Sequence, residues 1–268
     1  MEIAIVYAVA GLSKRFGGKI KQFAKVGPNG ESLIEYSLNQ AIPAGITKII
    51  FVVGEKTEIP FRQMLGDNYR GIPVYYAFQK WDKEKRDRPW GTLDALCSAK
   101  ELIDCPFLFF NGDDIYGERT FRVLVEHLKK KESDAIVGWR LKDVLPEKGK
   151  VNRALIRAGY NNTVESLEEI FDIDMENFKE KGLNKDDLCS MNAFALHPKT
   201  LSSLNEKLFR FKKEHEADRK IECLIQHEIT SLINEGKIVM YVYTASDEWL
   251  GVTNPEDEDV VKGKLAIR

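Results

Sequence analysis

The regular alternation of apolar runs with amphipathic segments is the feature that most restricts how this chain can fold. Each apolar run is short and rich in β-branched or aromatic residues, and the segments between them repeat apolar residues at helical spacing. Strands that alternate with helices predict a parallel, doubly wound α/β sheet. The predicted strands are residues 3–9, 48–53, 74–78, 107–110 and 135–139, and the predicted helices are residues 32–42, 59–65, 92–103 and 118–131.

The second half of the chain is less regular. Residues 142–187 are charged and contain two short β-like pieces, which predict an inserted ribbon or lid over the mouth of a site. Globular patterning then returns, and no linker rich in Pro, Gly or Ser marks a second domain. The predicted elements are the β-like pieces 151–157 and 164–171, a segment at 191–196, helices at 199–216 and 221–235, a strand at 237–243 and a tail helix at 254–264.

Charge and cysteine usage exclude several classes of protein. The 40 basic and 42 acidic residues leave a formal net charge of -2, which removes the broad electrostatic argument for a nucleic-acid partner. No segment approaches the roughly 18 apolar residues of a membrane span. The four cysteines form no CxxC pair, so neither a disulfide framework nor a zinc site is indicated. We therefore expect a soluble protein in a reducing cytoplasm.

Two loops that follow predicted strands carry residue types that could bind a ligand or take part in a reaction. The first strand ends in the glycine-containing residues 10–18 with basic neighbours, and the fourth strand ends in residues 111–117 with Asp113 and Asp114. Ligands of open parallel sheets bind outside the carboxyl ends of the strands, where the strand order reverses. We expect these two strands to be neighbours and their loops to face each other.

The residue types in these loops fit a phosphate and a hard cation. Small residues let backbone N–H groups approach an anion, and carboxylates are suitable ligands for Mg²⁺. The first loop has neither the Walker pattern nor the G-x-G-x-x-G fingerprint. Taken singly, each loop is also compatible with an ordinary surface turn, and the Asp pair with a solvated helix cap. Their predicted juxtaposition favours a phosphate site.

The stretch AGLSKRFGGKIKQF, followed by VGPNGESLIEYSL, resembles the N-terminal signature of the sugar-phosphate nucleotidyltransferase superfamily. FQKW, PWGTLDAL, FNGDDIYG, CSMNAFAL and EWLGVTNPED follow in the order shown by a bacterial single-domain branch, similar to glucose-1-phosphate thymidylyltransferases and uridylyltransferases. The resemblance implies a Rossmann-like, mixed, mostly parallel sheet with a small β-ribbon insertion. It also implies one domain over residues 1–268, with a nucleotide-binding half at 1–140 and an acceptor-binding half at 141–268.

The resemblance implies an activity as well. Such an enzyme uses Mg²⁺ to transfer a nucleoside monophosphate from an NTP to a sugar 1-phosphate, giving an NDP-sugar and pyrophosphate. No nucleic-acid or membrane partner is implied, and a homodimer is common among such proteins. Two alternatives stay open: a cytidylyltransferase acting on an alcohol phosphate such as phosphocholine or methylerythritol phosphate, and a nucleotide-binding regulator without catalysis.

The family pattern also assigns roles to individual residues. Arg15 and Lys21 would hold phosphates, Asp113 would hold Mg²⁺, and Asp114 would contact the ribose or support Asp113. Thr92 matches a nucleotide-binding position, although its place before a helix favours an N-cap. The remaining nucleotide-binding positions implied are Ala10, Gly11, Leu12, Ser13, Gln79 and Gly91, and the acceptor-binding positions are Arg153, Glu169 and Asn192.

Three departures from the family pattern bear on the site. Ser13 stands where a second loop glycine is usual, and Asp94 stands where histidine is frequent. Many relatives have a second metal-binding Asp near the C-terminal Trp, and the sequence leaves Asp247, Glu248 and Asp257 open for that role. The charged tract 80–88 is expected to be a solvated, mobile loop.

Overall fold

The computed structural model describes residues 1–11, 20–146, 149–252 and 257–266, and it confirms the predicted alternation of strands and helices. The strands are Ala4–Ala8 (β1), Lys48–Val53 (β2), Asn68–Tyr69 (β3), Ile72–Phe78 (β4), Phe107–Asn111 (β5), Asp114–Ile115 (β6), Asp134–Arg140 (β7), Val151–Ala158 (β8), Val164–Ile173 (β9), Leu188–Leu196 (β10), Met240–Thr244 (β11) and Leu250–Gly251 (β12). The α-helices are Leu33–Ala41 (α1), Glu58–Leu65 (α2), Thr92–Ser98 (α3), Glu118–Lys130 (α4), Leu141–Val144 (α5), Pro198–Glu214 (α6), Ile225–Asn234 (α7) and Asp257–Leu265 (α8).

The main sheet is mixed and mostly parallel, with the strand order β11-β7-β10-β5-β1-β2-β4-β3. Its parallel pairs are β1 with β2, β1 with β5, β2 with β4, and β7 with β11. Strand β10 runs antiparallel between β5 and β7, so it enters the sheet at the edge where β5 ends. The fold class expected from the sequence is therefore confirmed.

Strands β1 and β5 pair directly and end at the same level. Their register aligns Ala4 with Phe107 and Ala8 with Asn111. The segments that follow the two strands therefore emerge side by side at the carboxyl edge of the sheet, as predicted. Residues 12–19 of the first loop lie outside the described part of the chain.

Helices cover both faces of the sheet because the strands are apolar on both sides. Along β1, Ile5 and Tyr7 belong to one core cluster, whereas Ala4 and Val6 belong to the other. Helices α1, α2 and α4 contribute to the first cluster, and α3, α6 and α7 contribute to the second. This arrangement leaves the strand ends as the place where polar side chains can gather.

The predicted ribbon is an antiparallel hairpin made of β8 and β9. It joins the main sheet through β8, where Ala154 pairs with Ser190 and Leu155 pairs with Cys189 of β10. Helix α7 packs against β9. The hairpin therefore sits beside the strand that carries Asn192.

A small sheet of β6 and β12 ties the C-terminal segment to the carboxyl edge. It pairs Leu250 with Ile115 and Gly251 with Asp114. Leu250 and Ile115 pack with Val261 of α8 in a third apolar cluster. The C-terminal segment is thereby placed next to the loop that follows β5.

The charged tract 80–88 differs from its prediction, because Arg86 is buried rather than solvated. The Arg86 guanidinium donates to the backbone carbonyls of Arg88, Asp218 and Ile221 and lies over the Trp90 ring. Burial lowers the pKa of Arg86. The buried guanidinium fastens this tract to the segment before α7.

Asp134 gives the fold a specific dependence of stability on pH. Its buried carboxylate accepts hydrogen bonds from the Thr200 hydroxyl (2.6 Å) and the His197 backbone N–H (2.9 Å), and burial raises its pKa from 3.8 to about 6. A raised carboxyl pKa stabilises the folded state below pH 3.8, and this contribution is lost as the pH rises through 6. The shift corresponds to about 3 kcal/mol at most.

We expect the free energy of unfolding of wild type, measured relative to that of Asp134→Asn, to decrease as the pH rises from 4 to 8. Urea unfolding of both proteins at each pH gives the difference, and groups common to both proteins cancel. Asp104→Asn is the control, because Asp104 is exposed and its pKa is lowered by Lys48. A pH-independent difference between wild type and Asp134→Asn would contradict the assignment.

Candidate active site

An ion pair between Lys21 and Asp113 connects the segment before α1 to the loop after β5 at the carboxyl edge. Lys21 begins a short 3-10 turn, Lys21–Phe23, and its ammonium contacts Oδ2 of Asp113 in the loop after β5. The same ammonium donates to the carbonyl of Val252 at 3.2 Å. Both partners keep some solvent access, with side-chain exposures of 17% and 24%. Three distant segments of the chain thus meet at one cation.

Asp114 lies next to this pair but is buried. Its Oδ2 accepts from Nδ2 of Asn111 at 3.0 Å and lies 3.2 Å from the Tyr116 hydroxyl. The hydroxyl is also 2.9 Å from the carbonyl of Met191, which can only accept. Burial, and then the charge of Asp113, raise the pKa of Asp114. Of the two adjacent carboxylates, Asp113 therefore pairs with the Lys21 ammonium, whereas Asp114 is held by neutral groups, the Asn111 amide and the Tyr116 hydroxyl.

A chain of side-chain amides continues from Asp114 into the acceptor half. Nδ2 of Asn192 donates to Oδ1 of Asn111 at 3.1 Å, and Nε2 of Gln226 donates to Oδ1 of Asn192 at 2.7 Å. Asn192 has a left-handed backbone (φ 60°) within a bulge of β10. Such conformations are uncommon outside glycine and often occur at functional positions. The bulge turns Asn192 toward the end of β5.

The other two predicted acceptor residues, Arg153 and Glu169, lie on the hairpin. Arg153 donates from Nε (3.2 Å) and Nη2 (2.7 Å) to the carbonyl of Val144, and its guanidinium lies 5.6 Å from the Trp249 ring centre. Burial lowers the pKa of Arg153, and the charges of Asp114 and Glu169 oppose that shift. Burial raises the pKa of Glu169. Arg153 therefore interacts electrostatically with both Asp114 and Glu169.

On the nucleotide side, Gln79 is held in one orientation. Its Nε2 donates to Oδ2 of Asp94 at 2.8 Å and to the carbonyl of Gly91 at 3.4 Å. Oδ1 of Asp94 pairs with Lys212 of α6. Because a carboxylate can only accept, the Gln79 amide nitrogen must face Asp94. The side-chain carbonyl of Gln79 therefore faces away from Asp94.

The backbone conformation and the close packing at position 91 require a glycine. Its φ is 99°, and a Cβ there would lie 2.8 Å from the carbonyl oxygen of Cys223. Gly91 is also the N-cap of α3, so the N-cap prediction for Thr92 is wrong. Thr92 is the first helical residue, and its hydroxyl accepts from the backbone N–H of Ile225 at 3.2 Å. This bond links α3 to α7.

The predicted phosphate loop is described only at its start. Ala10 is half-buried and Gly11 is exposed, directly after β1. Leu12, Ser13 and Arg15 lie outside the described residues. Lys21 is therefore the member of the predicted phosphate-binding set whose side chain the structure places at the edge.

Asp247, Glu248 and Asp257, the three acids considered for a second metal ligand, lie in or beside the C-terminal segment. Oδ2 of Asp247 accepts from the backbone N–H groups of Arg119 (2.7 Å) and Thr120 (3.3 Å), so Asp247 caps the start of α4. Glu248 pairs with Lys264, and Asp257 is the first residue of α8.

Gly251 instead occupies the place beside Asp114. A Cβ at Gly251 would lie 3.1 Å from Oδ1 of Asp114 and 2.4 Å from the Trp249 ring. A side chain there would have to displace one of these neighbours. The described C-terminal segment therefore meets Lys21 with the Val252 carbonyl.

Some site residues carry little sequence signal. Asn111 and Tyr116 belong to the FNGDDIYG motif, so the motif could have pointed to them. Val252 acts through its carbonyl and Gln226 through its position on α7, and neither feature has a local pattern.

This fold and edge define an α/β protein with a mixed, mostly parallel sheet and two adjacent carboxylates at the strand ends. The chain belongs to the nucleotidyl transferase family, whose profile matches residues 18–257. It is similar to the UTP–glucose-1-phosphate uridylyltransferase AglF of Haloferax volcanii, with 29% identity over 135 residues, which are 50% of this chain and 52% of that protein. The match thus spans about half the length of that relative.

Solved structures share the fold at lower identity. A Bacillus anthracis protein assigned as a glucose-1-phosphate thymidylyltransferase, solved with sucrose, has a TM-score of 0.71 at 15% identity, covering 98% of this chain and 95% of its own. The inositol-1-phosphate CTP transferase of T. maritima has a TM-score of 0.68 at 17% identity, with coverages of 99% and 96%. A UDP-glucose pyrophosphorylase solved with UDP-glucose has a TM-score of 0.67 at 14% identity and 98% coverage of both chains. Among the described residues, no helix is long and apolar enough to cross a membrane.

The assignment of Asp247 as a helix cap can be tested against a role in metal binding. Asn keeps an oxygen acceptor, so we expect Asp247→Asn to leave both the free energy of unfolding and the Mg²⁺ dependence of pyrophosphate release close to wild type. Asp247→Ala should lose about 1 kcal/mol of stability in urea unfolding. Glu248→Gln is the neighbouring control. A large rise in the Mg²⁺ requirement of Asp247→Asn would contradict the cap assignment.

Proposed function

We propose that this chain transfers a nucleoside monophosphate from an NTP to a sugar 1-phosphate and releases pyrophosphate. The ion pair of Lys21 with Asp113 is the observation that carries the proposal, because it places a cation and a carboxylate together where β1 and β5 end. Membership of the nucleotidyl transferase family supports the reaction type. The uridylyltransferase relative supports a sugar 1-phosphate as the acceptor class. We propose a single catalytic unit over residues 1–268.

The carboxylates of the edge fit a magnesium ion. Asp113 and Asp114 offer oxygen ligands, and Mg²⁺ is commonly held by one or two carboxylates together with substrate phosphates and water. Among the described residues, no group of three or more His, Cys, Asp or Glu side chains is placed to hold a metal ion by itself. We propose Asp113 as the ligand, with Asp114 supporting it. Bound Mg²⁺ would act as a Lewis acid on the phosphates.

The proposed reaction is in-line attack of an acceptor phosphate oxygen on the α-phosphorus, with pyrophosphate as the leaving group. Two anions must approach, and like unit charges 4 Å apart repel by about 4 kcal/mol at an effective dielectric near 20. Lys21 would lower this repulsion by turning from Asp113 to a phosphate, and Arg15 would add a second charge. The acceptor phosphate is already ionised, so neither a general base nor a covalent nucleophile is needed.

The held orientation of Gln79 constrains the base. With its amide nitrogen facing Asp94, Gln79 would offer a carbonyl oxygen to the nucleotide. That oxygen would accept a hydrogen bond from a ring or exocyclic N–H of the base, a group that every nucleobase carries. We propose Gln79 and Gly91 as the base-reading positions.

Lys21 and Asp113 should be required for turnover. Pyrophosphate release is measured for four NTPs and dTTP against several sugar 1-phosphates, inositol 1-phosphate and phosphocholine, with Mg²⁺. In the active combination, Lys21→Ala should lower kcat by about 10² to 10³, as expected for losing one preorganised charge contact. Asp113→Asn should abolish detectable release. Lys25→Ala, which removes an exposed lysine paired with Glu35, should keep wild-type kcat.

Other outcomes separate the rival functions. Release with phosphocholine alone would favour the alcohol-phosphate cytidylyltransferase. Binding of an NTP with no release for any acceptor would favour a nucleotide-binding regulator. Near-normal kcat in Lys21→Ala would remove Lys21 from the mechanism.

A further inference from the structure

Gln226 combines burial with a side-chain oxygen that the fold leaves unpaired. The residue is 6% exposed, on the first turn of α7. Its Nε2 donates to Asn192, whereas its Oε1 has no hydrogen-bond partner among the described residues. A buried acceptor without a donor costs about 1–3 kcal/mol, so such atoms call for an explanation.

The orientation of the Gln226 amide is fixed by the network that it ends. Asn111 donates to the Asp114 carboxylate, Asn192 donates to Asn111, and Gln226 donates to Asn192. When the Asp114 carboxyl is ionised it only accepts, so every amide in this series presents its nitrogen toward Asp114. Turning the Gln226 amide over would set its oxygen against the oxygen of Asn192. The acceptor character of the unpaired atom therefore follows from the network.

The neighbours of Gln226 are the residues proposed for the acceptor. Asn192 is its direct partner, and α7 packs against β9, which carries Glu169. The next residue, His227, interacts electrostatically with Glu169. Gln226 thus lies at the junction of the β10 bulge and the hairpin.

We infer that acceptor binding opens access to Oε1 of Gln226, which is buried in this structure, and that this oxygen then accepts a hydrogen bond from a hydroxyl of the acceptor. Gln226 would thereby be a specificity-determining residue for a polyhydroxylated ring phosphate. The inference rests on the proposed function. A fixed acceptor next to an amide and a half-buried carboxyl matches the vicinal hydroxyls of a sugar or cyclitol. A quaternary ammonium such as that of phosphocholine has no N–H to donate to that oxygen.

The test pairs a change in the protein with a change in the ligand. Gln226→Met removes both polar atoms at similar length, and α-D-glucose 1-phosphate is compared with its 2-, 3-, 4- and 6-deoxy analogues. Gln40→Met is the matched control, because Gln40 is also buried with an unpaired Oε1 but lies on α1. Turnover is followed by pyrophosphate release. Binding of the same sugar phosphates, with Mg²⁺ and a non-hydrolysable NTP, is followed by calorimetry.

We expect wild type and Gln40→Met to lose about tenfold in kcat/KM, or in affinity, for one deoxy analogue. Gln226→Met should weaken the parent acceptor by about tenfold, keep the KM of the NTP, and no longer distinguish that analogue from the parent. A purely structural role would instead weaken all analogues equally and preserve the discrimination, which would overturn the inference.

The two readouts separate this inference from the proposed function. Pyrophosphate release with unchanged discrimination in Gln226→Met would reject the inference and keep the function. Deoxy-sensitive binding that Gln226→Met abolishes, without any pyrophosphate release, would keep the inference and reject the function. Absence of binding for every sugar phosphate tested, with NTP still bound, would overturn the inference.

Discussion

The level, parallel pairing of β1 with β5 is the constraint on which the rest of the site depends. Because both strands end at the same height, the loops that follow them must share one edge of the sheet. The antiparallel strand β10 then passes that same edge and brings its bulge beside the end of β5. Strand β12 adds the C-terminal segment by pairing with β6. Four parts of the sequence that lie far apart along the chain therefore converge at this edge.

The polar groups at this edge form a directed series rather than a random cluster. Asp114 accepts from a neutral amide, and each amide behind it accepts from the next. In a low-dielectric surrounding, such bonds fix the orientation of every member, and an unsatisfied end is costly. The orientation of the amides thus follows from the carboxylate at one end, whereas the Lys21 ammonium is held by the Asp113 carboxylate and the Val252 carbonyl. A fixed polar frame beside one partly exposed cation suits the binding of an anionic substrate.

Sequence patterns predicted the parts of this fold that depend on local chemistry. Apolar runs predicted the strands of the sheet. The sequence also predicted that the segments after β1 and β5 lie side by side, and the contact of Lys21 with Asp113 confirms it. The predicted N-cap role of Thr92 was wrong, because Gly91 supplies the left-handed turn before α3 and the Thr92 hydroxyl accepts from the backbone N–H of Ile225. Gln226 could not be found, because its partner is 34 residues away and no spacing rule links a helix residue to a strand bulge.

The acidic residue Asp247 near the C-terminus caps a helix and does not pair with Lys21 in this structure. Asp247 neutralises the positive end of α4, a role for which an aspartate is well suited. Gly251 leaves the space beside Asp114 free of a side chain, and the next residue offers Lys21 a carbonyl instead of a carboxylate. The acidic groups that face Lys21 are therefore concentrated in the loop after β5, among the residues that the structure describes. A carbonyl dipole holds a lysine less strongly than a full charge does, so Lys21 is restrained mainly by Asp113. Within the described part of the chain, a phosphate therefore has one charged competitor to displace from Lys21 rather than two.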